Sequence, residues 1–205
     1  MAYYLKLVFV SLIVNLLAIA PTTSKSNATV ILDIDTNGQL FGAKNVDVEG
    51  VLYNVSFVED SCIAIFDGCN DVSDFDFQSV ATASAAAQAL LDQVLLDSGL
   101  GLFDTNPSLV NGIGSSSSSH LMIPFALPDS RAFFRSAFNS NGTDSIGNGS
   151  FHAINNTSND PSTVWVDFSQ ASVGEPGAAL LLTVGFASLY VRRRRQKKRS
   201  ALSEI

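Results

Sequence analysis

Two apolar runs, one near each end of the 205-residue chain, limit how much of it folds as a globular domain. The first extends from Leu7 to Ala20 behind Lys6, and Pro21 ends its helical potential. The run is shorter than the ~20 residues of a spanning helix and has the length of a secretion-signal core. A buried core helix is the alternative, but such a helix would show a polar face. We therefore interpret residues 1–28 as a signal peptide.

Two positions in this segment have the small-x-small form that signal peptidase recognises. One ends at Ala20, where Pro21 follows directly and disfavours cleavage. The other ends at Ala28 and has no such neighbour. The sequence favours cleavage after Ala28 and leaves Ala20 as the alternative.

The second apolar run covers residues 177–191 and is followed at once by a basic cluster. At 1.5 Å per residue the run is about 22 Å long, shorter than a ~30 Å hydrocarbon core. Basic flanks are enriched on the cytoplasmic side, so this run is predicted to be a single transmembrane helix that holds the preceding residues outside. The cluster consists of Arg192, Arg193, Arg194, Arg195, Lys197, Lys198 and Arg199.

Residues 29–172 lie between these segments and are strongly acidic. They contain 17 Asp and Glu against three basic residues, a net charge of −14 that the whole-chain value of −7 hides. Such a surface repels phosphate backbones, so nucleic acid is not an expected partner. It suits solubility outside the cytoplasm. The length allows one extracytoplasmic domain with one modest core.

Apolar and polar residues alternate in several stretches of this domain, as they do in half-buried strands. Glu49-Gly50 is predicted to form a tight hairpin between two of these stretches, with Gly50 at positive φ. The predicted strands cover residues 29–35, 43–48, 51–58 and 163–168.

One helix is predicted from Ser79 to Leu96, where Ala, Leu and Gln are frequent and apolar residues recur at helical spacing. Ser79 is the expected N-cap and Gly99 the expected stop. Residues 121–127 fit a further strand, which Pro124 would place at a sheet edge.

The remaining stretches are less regular. Residues 132–138 fit a strand or a short helix, and residues 139–159, rich in Asn, Gly and Ser, are predicted to form loops. The predicted class is α+β: a small mostly-β domain over residues 29–172 with one main helix. A signal helix precedes this domain, and the transmembrane helix follows it.

The two cysteines, Cys62 and Cys69, are separated by six residues. Two nearby thiols in an exported protein most simply form one disulfide, which would contribute ~2 kcal/mol by closing a small loop. Metal binding is the alternative, but this spacing does not match a zinc site and no histidine lies nearby. The sequence therefore predicts a Cys62–Cys69 disulfide.

Asp33, Asp35 and Asn37 precede Gly38 and resemble the first half of a calcium loop, which needs alternate oxygen ligands and a glycine turn. The twelfth position of such a loop holds Lys44 instead of the bidentate Glu. The alternative is a strand that ends in an Asn-Gly turn. Calcium on these three residues is the one cofactor hypothesis that the sequence offers.

The sequence does not predict an enzyme. His120 and His152 are the two histidines, both in polar surroundings, and the chain lacks a Gly-x-Ser-x-Gly nucleophile elbow. Two histidines cannot form a three-histidine zinc site. Asp71, Asp74 and Asp76 alternate along the chain, a pattern more typical of a solvated edge than of a metal site.

The residues before the second apolar run complete a three-part arrangement. Gly174, Glu175 and Pro176 precede the run, and the basic cluster follows it. Pro176 suits the first turn of a helix, and Glu175 suits its positive N-terminus. Together they resemble the sorting tail of the PEP-CTERM family, with Gly174 in place of the first Pro of that motif. The tail covers residues 173–199, and residues 200–205 form a polar extension.

Parts of the acidic domain also look like a recurring uncharacterised ectodomain of that family: residues 37–53, the Cys62–Cys69 loop and residues 89–94. The resemblance implies an exosortase, an integral-membrane protease that recognises the tail and cleaves near Glu175-Pro176. It implies a Gram-negative cell that makes exopolysaccharide and a product that is transiently anchored, then released to the surface or matrix. It implies no biochemical activity for the domain itself.

Three functions remain open. The first is an exported surface or matrix protein associated with exopolysaccharide and biofilm, processed by signal peptidase and an exosortase-type protease. The second is a membrane-anchored exported enzyme acting on polysaccharide, because the many carboxylates could supply the pair that glycosidases use. The third is a plain single-span surface receptor whose tail stays intact.

Overall fold

The computed structural model describes residues 28–114, 117–141 and 143–172. The predicted signal helix, the predicted transmembrane helix and the basic cluster lie outside these residues. Within them, no helix has the length and apolar character needed to cross a membrane.

The described chain contains nine strands and two α-helices, with short 3-10 turns between them. The helices are α1 (Cys62–Ile65) and α2 (Val80–Gln93). The strands are β1 (Ile31–Ile34), β2 (Leu40–Val48), β3 (Val51–Val58), β4 (Asp97–Ser98), β5 (Gly101–Leu102), β6 (Ser118–Ala126), β7 (Arg131–Ser140), β8 (Ser145–His152) and β9 (Thr163–Gln170).

Seven of these strands form one mixed sheet in the order β1-β2-β3-β9-β6-β7-β8, while β4 and β5 form a separate hairpin. Neighbouring strands of the large sheet are antiparallel except β6 and β9, which are parallel. The prediction of a mostly-β domain with one main helix is confirmed.

The β2–β3 hairpin follows its sequence pattern closely. Strand β3 has the predicted bounds, and its residues Val55 and Phe57 are buried while Ser56 is exposed. The turn residues Glu49 and Gly50 both have positive φ, 53° and 90°. This is the backbone that a two-residue hairpin turn requires, because its twist matches that of the flanking strands.

Helix α2 begins where predicted and ends three residues early. Ser79 caps it, since the Ser79 hydroxyl accepts a hydrogen bond from the Thr82 backbone N–H at 3.2 Å. The predicted end at Leu96 is wrong: Val94 is the C-cap, and the backbone N–H groups of Val94 and Leu95 both donate to the Leu90 carbonyl. Both side chains are fully buried, so the helix ends in the core, well before Gly99.

The main core lies between α2 and one face of the sheet. The helix presents small residues to the sheet, Ala83, Ala86 and Ala87, each fully buried. Small side chains let the helix approach the strands closely, and larger residues such as Leu90 and Phe103 fill the space around them.

A second apolar cluster covers the opposite face. Trp165 of β9 is fully buried there against Phe66, Phe134 and Phe151, with ring centroids 5.8–6.1 Å apart in edge-to-face geometry. Because Val164 on the other face is also fully buried, β9 is a central strand that is covered on both sides.

The prediction that Pro124 marks an edge strand is wrong. Strand β6 lies between β9 and β7 in the middle of the sheet. Its pairing with β9 extends only over His120–Met122, so Pro124 lies beyond the last residue that has a partner on that side. The missing N–H of proline is tolerated there, and the register with β7 shifts directly after Pro124.

Residues 131–152 form a hairpin that the sequence indicated only in part. The open choice between strand and short helix for residues 132–138 resolves to strand β7. The prediction of loops across residues 139–159 is wrong over Ser145–His152, which pairs along its whole length with β7. Loop-like composition is compatible with this strand because it is an edge strand and is only partly buried.

Candidate functional site

An open pocket of about 450 Å³ lies where the β2–β3 hairpin meets the residues that lead into α2. None of its lining residues is basic, so the pocket disfavours anionic ligands. It is lined by Val48, Glu49, Val51, Tyr53, Asp76, Phe77, Gln78, Ser79 and Thr82.

The β2–β3 hairpin forms one wall of this pocket, and hydrogen bonds of Asp47 hold it in place. The Asp47 carboxylate accepts a hydrogen bond from the Gly50 backbone N–H at 2.6 Å. The Asp47 backbone N–H and C=O pair with the Gln93 side chain at the end of α2. These contacts tie the hairpin to the helix.

The other wall is formed where the chain passes from one face of the sheet to the other. Phe75 packs in the Trp165 cluster, whereas Phe77 packs in the main core. The crossing therefore takes place within three residues, and Asp76 lies at its centre.

The crossing lies beside the half of β9 that is not paired with β6, since the ring centroids of Phe77 and Phe168 are 4.9 Å apart. Strand β6 pairs with β9 only as far as Trp165, while β3 continues to pair with β9 up to Gln170. Asp167 lies in this half, opposite Ser56 of β3.

Asp76 lies within electrostatic range of a second carboxylate, that of Asp167. Burial raises the pKa of Asp76 above its ordinary value of 3.8, and the negative charge of Asp167 raises this pKa further. Burial also raises the pKa of Asp167. Both groups therefore keep a proton to higher pH than an exposed aspartate does.

Tyr53 lines the pocket beside Asp76 and packs against aromatic residues of the main core. Its ring centroid lies 5.3 Å from that of Phe77 and 5.8 Å from that of Phe168. Burial raises the pKa of the Tyr53 hydroxyl, and the charge of Asp76 adds to this shift. Tyr53 thus remains a neutral hydrogen-bonding group at the pocket wall.

This arrangement offers one kind of chemistry. Carboxylates accept hydrogen bonds from hydroxyl or ammonium donors, and a carboxyl group with a raised pKa can also supply a proton. Asp76 is such a carboxyl group on the pocket lining, beside the rings of Tyr53 and Phe77, whereas Asp167 is not among the lining residues. The pocket therefore suits a hydroxyl-rich neutral ligand better than a phosphate.

The residues of the calcium hypothesis are brought to one edge of the sheet. Asp33 is exposed on β1, and Asp35 and Asn37 belong to the turn that follows. The Asp35 carboxylate accepts bonds from the backbone N–H groups of Gln39 and Asn37, each at 2.8 Å. These bonds, above all the one from Gln39, hold the pKa of Asp35 below its ordinary value. Calcium at this turn stays a prediction.

The other alternate carboxylates have separate structural roles. Asp71 and Asp74 form a capping box around the 3-10 turn Val72–Asp74. The Asp71 carboxylate accepts from Ser73, while that of Asp74 accepts from the backbone of Asn70 and Asp71. Within the described ranges, no group of three or more His, Cys, Asp or Glu side chains is placed to hold a metal ion.

The predicted disulfide between Cys62 and Cys69 is present, with a Cα–Cα distance of 5.6 Å. Both cysteines are buried in the Trp165 cluster. The loop that they close begins at α1 and turns at Asp67 and Gly68, which both have positive φ. The disulfide therefore holds in place the loop that packs over one face of β9.

Neither histidine lines the pocket. His120 Nδ1 lies 3.3 Å from the Ser136 hydroxyl, and burial lowers the pKa of this imidazole, opposed by the charge of Asp160. Ser136 is fully buried, so its hydroxyl has no open approach for a substrate. His152 lies at the end of β8, and its Nδ1 has no hydrogen-bond partner among the described residues.

The sorting motif Gly174, Glu175 and Pro176 lies outside the described residues, as do Arg192 to Arg195. The last described residues lie beside the β2–β3 hairpin. The Ala171 backbone N–H donates to the Leu52 carbonyl at 2.8 Å, directly after the last residue of β9.

Comparison of the chain with protein-family models, with curated proteins and with solved structures gave no match.

Proposed function

We propose that this chain is an exported surface or extracellular-matrix protein whose C-terminal tail is recognised and cleaved by an exosortase-type protease. The observation that carries the proposal is the order of segments in the tail. Glu175-Pro176, a short apolar run and an arginine cluster follow one another after an acidic domain. A short run with a basic end can hold the chain in the membrane until the protease acts.

The properties of the domain support an extracytoplasmic location. Cys62 and Cys69 are joined in a buried disulfide, a bond that persists in oxidising compartments. The net charge of −14 over residues 29–172 suits solubility outside the cell.

The proposed route begins with export through the inner membrane of a Gram-negative cell and removal of residues 1–28 by signal peptidase. The C-terminal helix then anchors the chain transiently. Cleavage near Glu175-Pro176 releases the domain to the cell surface or to a matrix that contains exopolysaccharide. The acidic domain would meet that matrix through uncharged or hydroxyl-rich groups, because it repels other anions.

The test is the mature C-terminus of the protein in cells with and without the sorting protease. We expect mass spectrometry to find the surface protein ending near Glu175 when the protease is present and carrying residues 192–205 when it is absent. Glu175→Ala with Pro176→Ala should retain the tail, and Glu204→Ala is the matched control. An intact tail on the surface protein of normal cells contradicts sorting and supports the plain single-span receptor.

A second candidate function is supported by the carboxyl groups of Asp76 and Asp167. Asp76 lines the pocket, and the charge of the nearby Asp167 raises the pKa of Asp76. Two neighbouring carboxyl groups are the residue types that an enzyme acting on polysaccharide uses. The test is the release of reducing ends from neutral polysaccharides by the native chain. Asp76→Asn and Asp167→Asn should each abolish release, while Asp92→Asn on the exposed face of α2 should not. Absence of any release by the native chain contradicts this candidate.

A further inference from the structure

The two edges of the seven-stranded sheet differ in their protection against an added strand. At one edge, β1 is four residues long, carries the exposed Asp33 and has an irregular register between Asp33 and Ile34. Short length, charge and irregular pairing all oppose strand addition. At the other edge, β8 is eight residues long and contains no Asp, Glu, Lys, Arg or Pro.

Among the described residues, strand β8 is paired regularly along its inner side and sparsely along its outer side. It pairs with β7 without a break from Ser145 to His152. Outside that ladder, the single backbone hydrogen bond to β8 from the described residues is donated by Asn155 to the His152 carbonyl. The Ser150 carbonyl also accepts from the Arg131 side chain of β7. No other outward backbone group of β8 has a hydrogen-bond partner in the described part of the chain, so these groups suit pairing with a further strand.

On the face of the sheet away from α2, two residues of β8, Gly147 and Gly149, have no side chain. A Cβ atom added at Gly149 would lie 2.7 Å from the Phe134 ring, which covers this glycine from β7. Gly147 faces Ser136 in the same way. Neighbouring side chains from β7 thus take the space above the glycines, as cross-strand aromatic residues commonly do for edge glycines.

We propose that β8 pairs antiparallel with β8 of a second copy of this chain, about a two-fold axis through Asn148. A two-fold axis normal to the sheet keeps the same face of both copies on the same side. Each residue must then lie opposite one whose number is odd or even like its own, because side chains alternate between the faces. In this register Gly147 lies opposite Gly149 and Ile146 opposite Ser150 of the second copy. The paired edges form one continuous sheet of two domains.

Charge favours a second copy at this edge and in this register. Two domains of net charge −14 repel each other over most contacts, but β8 contains no acidic side chain, and the Arg131 guanidinium is bonded to its residue Ser150. The same register places Asp144 opposite His152 of the second copy at both ends of the contact. A carboxylate and an imidazole facing across strands attract or hydrogen-bond, whereas like charges would repel.

The first test is cross-linking of the full chain in the membrane of a Gram-negative host. Opposed residues of antiparallel strands have Cα atoms about 4.5–5.5 Å apart, which a disulfide can bridge. Asn148→Cys should therefore yield a disulfide-linked homodimer about tenfold more than Gln88→Cys on the exposed face of α2. Equal yields would indicate contact through other parts of the chain and would contradict the proposal. So would a cross-link from the Asn148→Cys variant to a different protein.

The second test measures association of the purified full chain by analytical ultracentrifugation. Asn148→Lys places two like charges opposite each other at the axis and should raise the dimer dissociation constant at least about tenfold. Gln88→Lys makes the same change of charge elsewhere and should leave it unchanged. Thermal unfolding confirms that each variant folds. If Asn148→Lys does not fold, the Asn148→Cys result decides. A dimer that survives folded Asn148→Lys overturns the proposal.

Discussion

Asp167 places a carboxylate on a central strand between two buried residues, Val166 and Phe168. Burial raises its pKa above the ordinary value of 3.8, so it binds its proton more tightly in the folded chain than in the unfolded chain. Between these two pKa values the folded state holds more protons, and stability falls as pH rises through that window. Once pH exceeds the raised pKa, the ionised carboxylate costs stability in full.

We expect Asp167→Asn to stabilise the protein at neutral pH by ~0.5 kcal/mol, a figure reduced for partial solvent screening. At about pH 3 the two proteins should be closely matched, because the native carboxyl group is then protonated. Urea unfolding at both pH values, followed by the fluorescence of Trp165, the single tryptophan, measures this difference. Asp92→Asn is the control, and a variant that is less stable than native at neutral pH contradicts the argument.

The residues of the candidate site differ in how far sequence could reveal them. Local chemistry indicated the Cys62–Cys69 bridge and the Ser79 cap, since each depends on nearby positions. The sequence pattern places Asp76 on a solvated edge and Asp167 in a strand, and it does not indicate that the two lie near each other. They meet because the chain crosses the sheet between Phe75 and Phe77, which is a tertiary event. One signal was available: each aspartate stands between two apolar residues that become buried.

The loop between Cys62 and Cys69 covers Trp165 and is closed by a bridge with a sequence separation of 7. We expect Cys62→Ala with Cys69→Ala to lower the free energy of unfolding by ~2 kcal/mol, because the unfolded chain regains the entropy of the open loop. Urea unfolding with and without reductant provides the measurement. Reductant should destabilise the native protein and leave the double variant unchanged. Equal stability of the two proteins without reductant would refute the prediction.

The start of α2 depends on the Ser79 hydroxyl, which accepts a bond from the Thr82 backbone N–H. We expect Ser79→Ala to cost ~1 kcal/mol of stability, because an unpaired N–H remains at the helix N-terminus. Ser79→Asn keeps an acceptor at this position and should cost only a few tenths of that amount. Thermal unfolding of both variants separates loss of the cap from loss of side-chain packing. The argument fails if the two variants are equally destabilised.

The elements β3, α2 and β9 can be predicted from sequence, because the spacing of their apolar side chains specifies which face is buried. Strand β8 was missed because its Gly, Asn and Ser residues match a loop, and its extended state depends on pairing with β7. The position of β6 was missed for a different reason. Pro124 does mark an unpaired backbone position, but that position lies in the interior of the sheet, where β6 and β9 separate. The sequence shows that Pro124 cannot donate a backbone hydrogen bond. It does not show where in the sheet a position without a partner lies.

The net negative charge of the domain affects the stability of the whole fold. With −14 over residues 29–172, most carboxylates repel one another, and exposed repulsion of this kind weakens as salt screens it. The repulsion also opposes contact between domains except where a surface lacks acidic side chains, as at β8. Stability and self-association should therefore both respond to ionic strength, through the same screening.

We expect the midpoint of thermal unfolding to rise by ~2–5 °C when sodium chloride is raised from about 10 mM to about 200 mM, because screening relieves repulsion in the folded state. A triple variant with Asp33, Asp92 and Asp129 changed to Asn removes three exposed charges and should show a smaller rise. A midpoint that does not change with sodium chloride would contradict the repulsion argument.

Calcium chloride at the same ionic strength separates screening of charge from binding of calcium. An extra rise of the midpoint that Asp35→Asn abolishes supports calcium at the Asp33–Asn37 turn. A rise equal to that in sodium chloride argues against calcium at this turn.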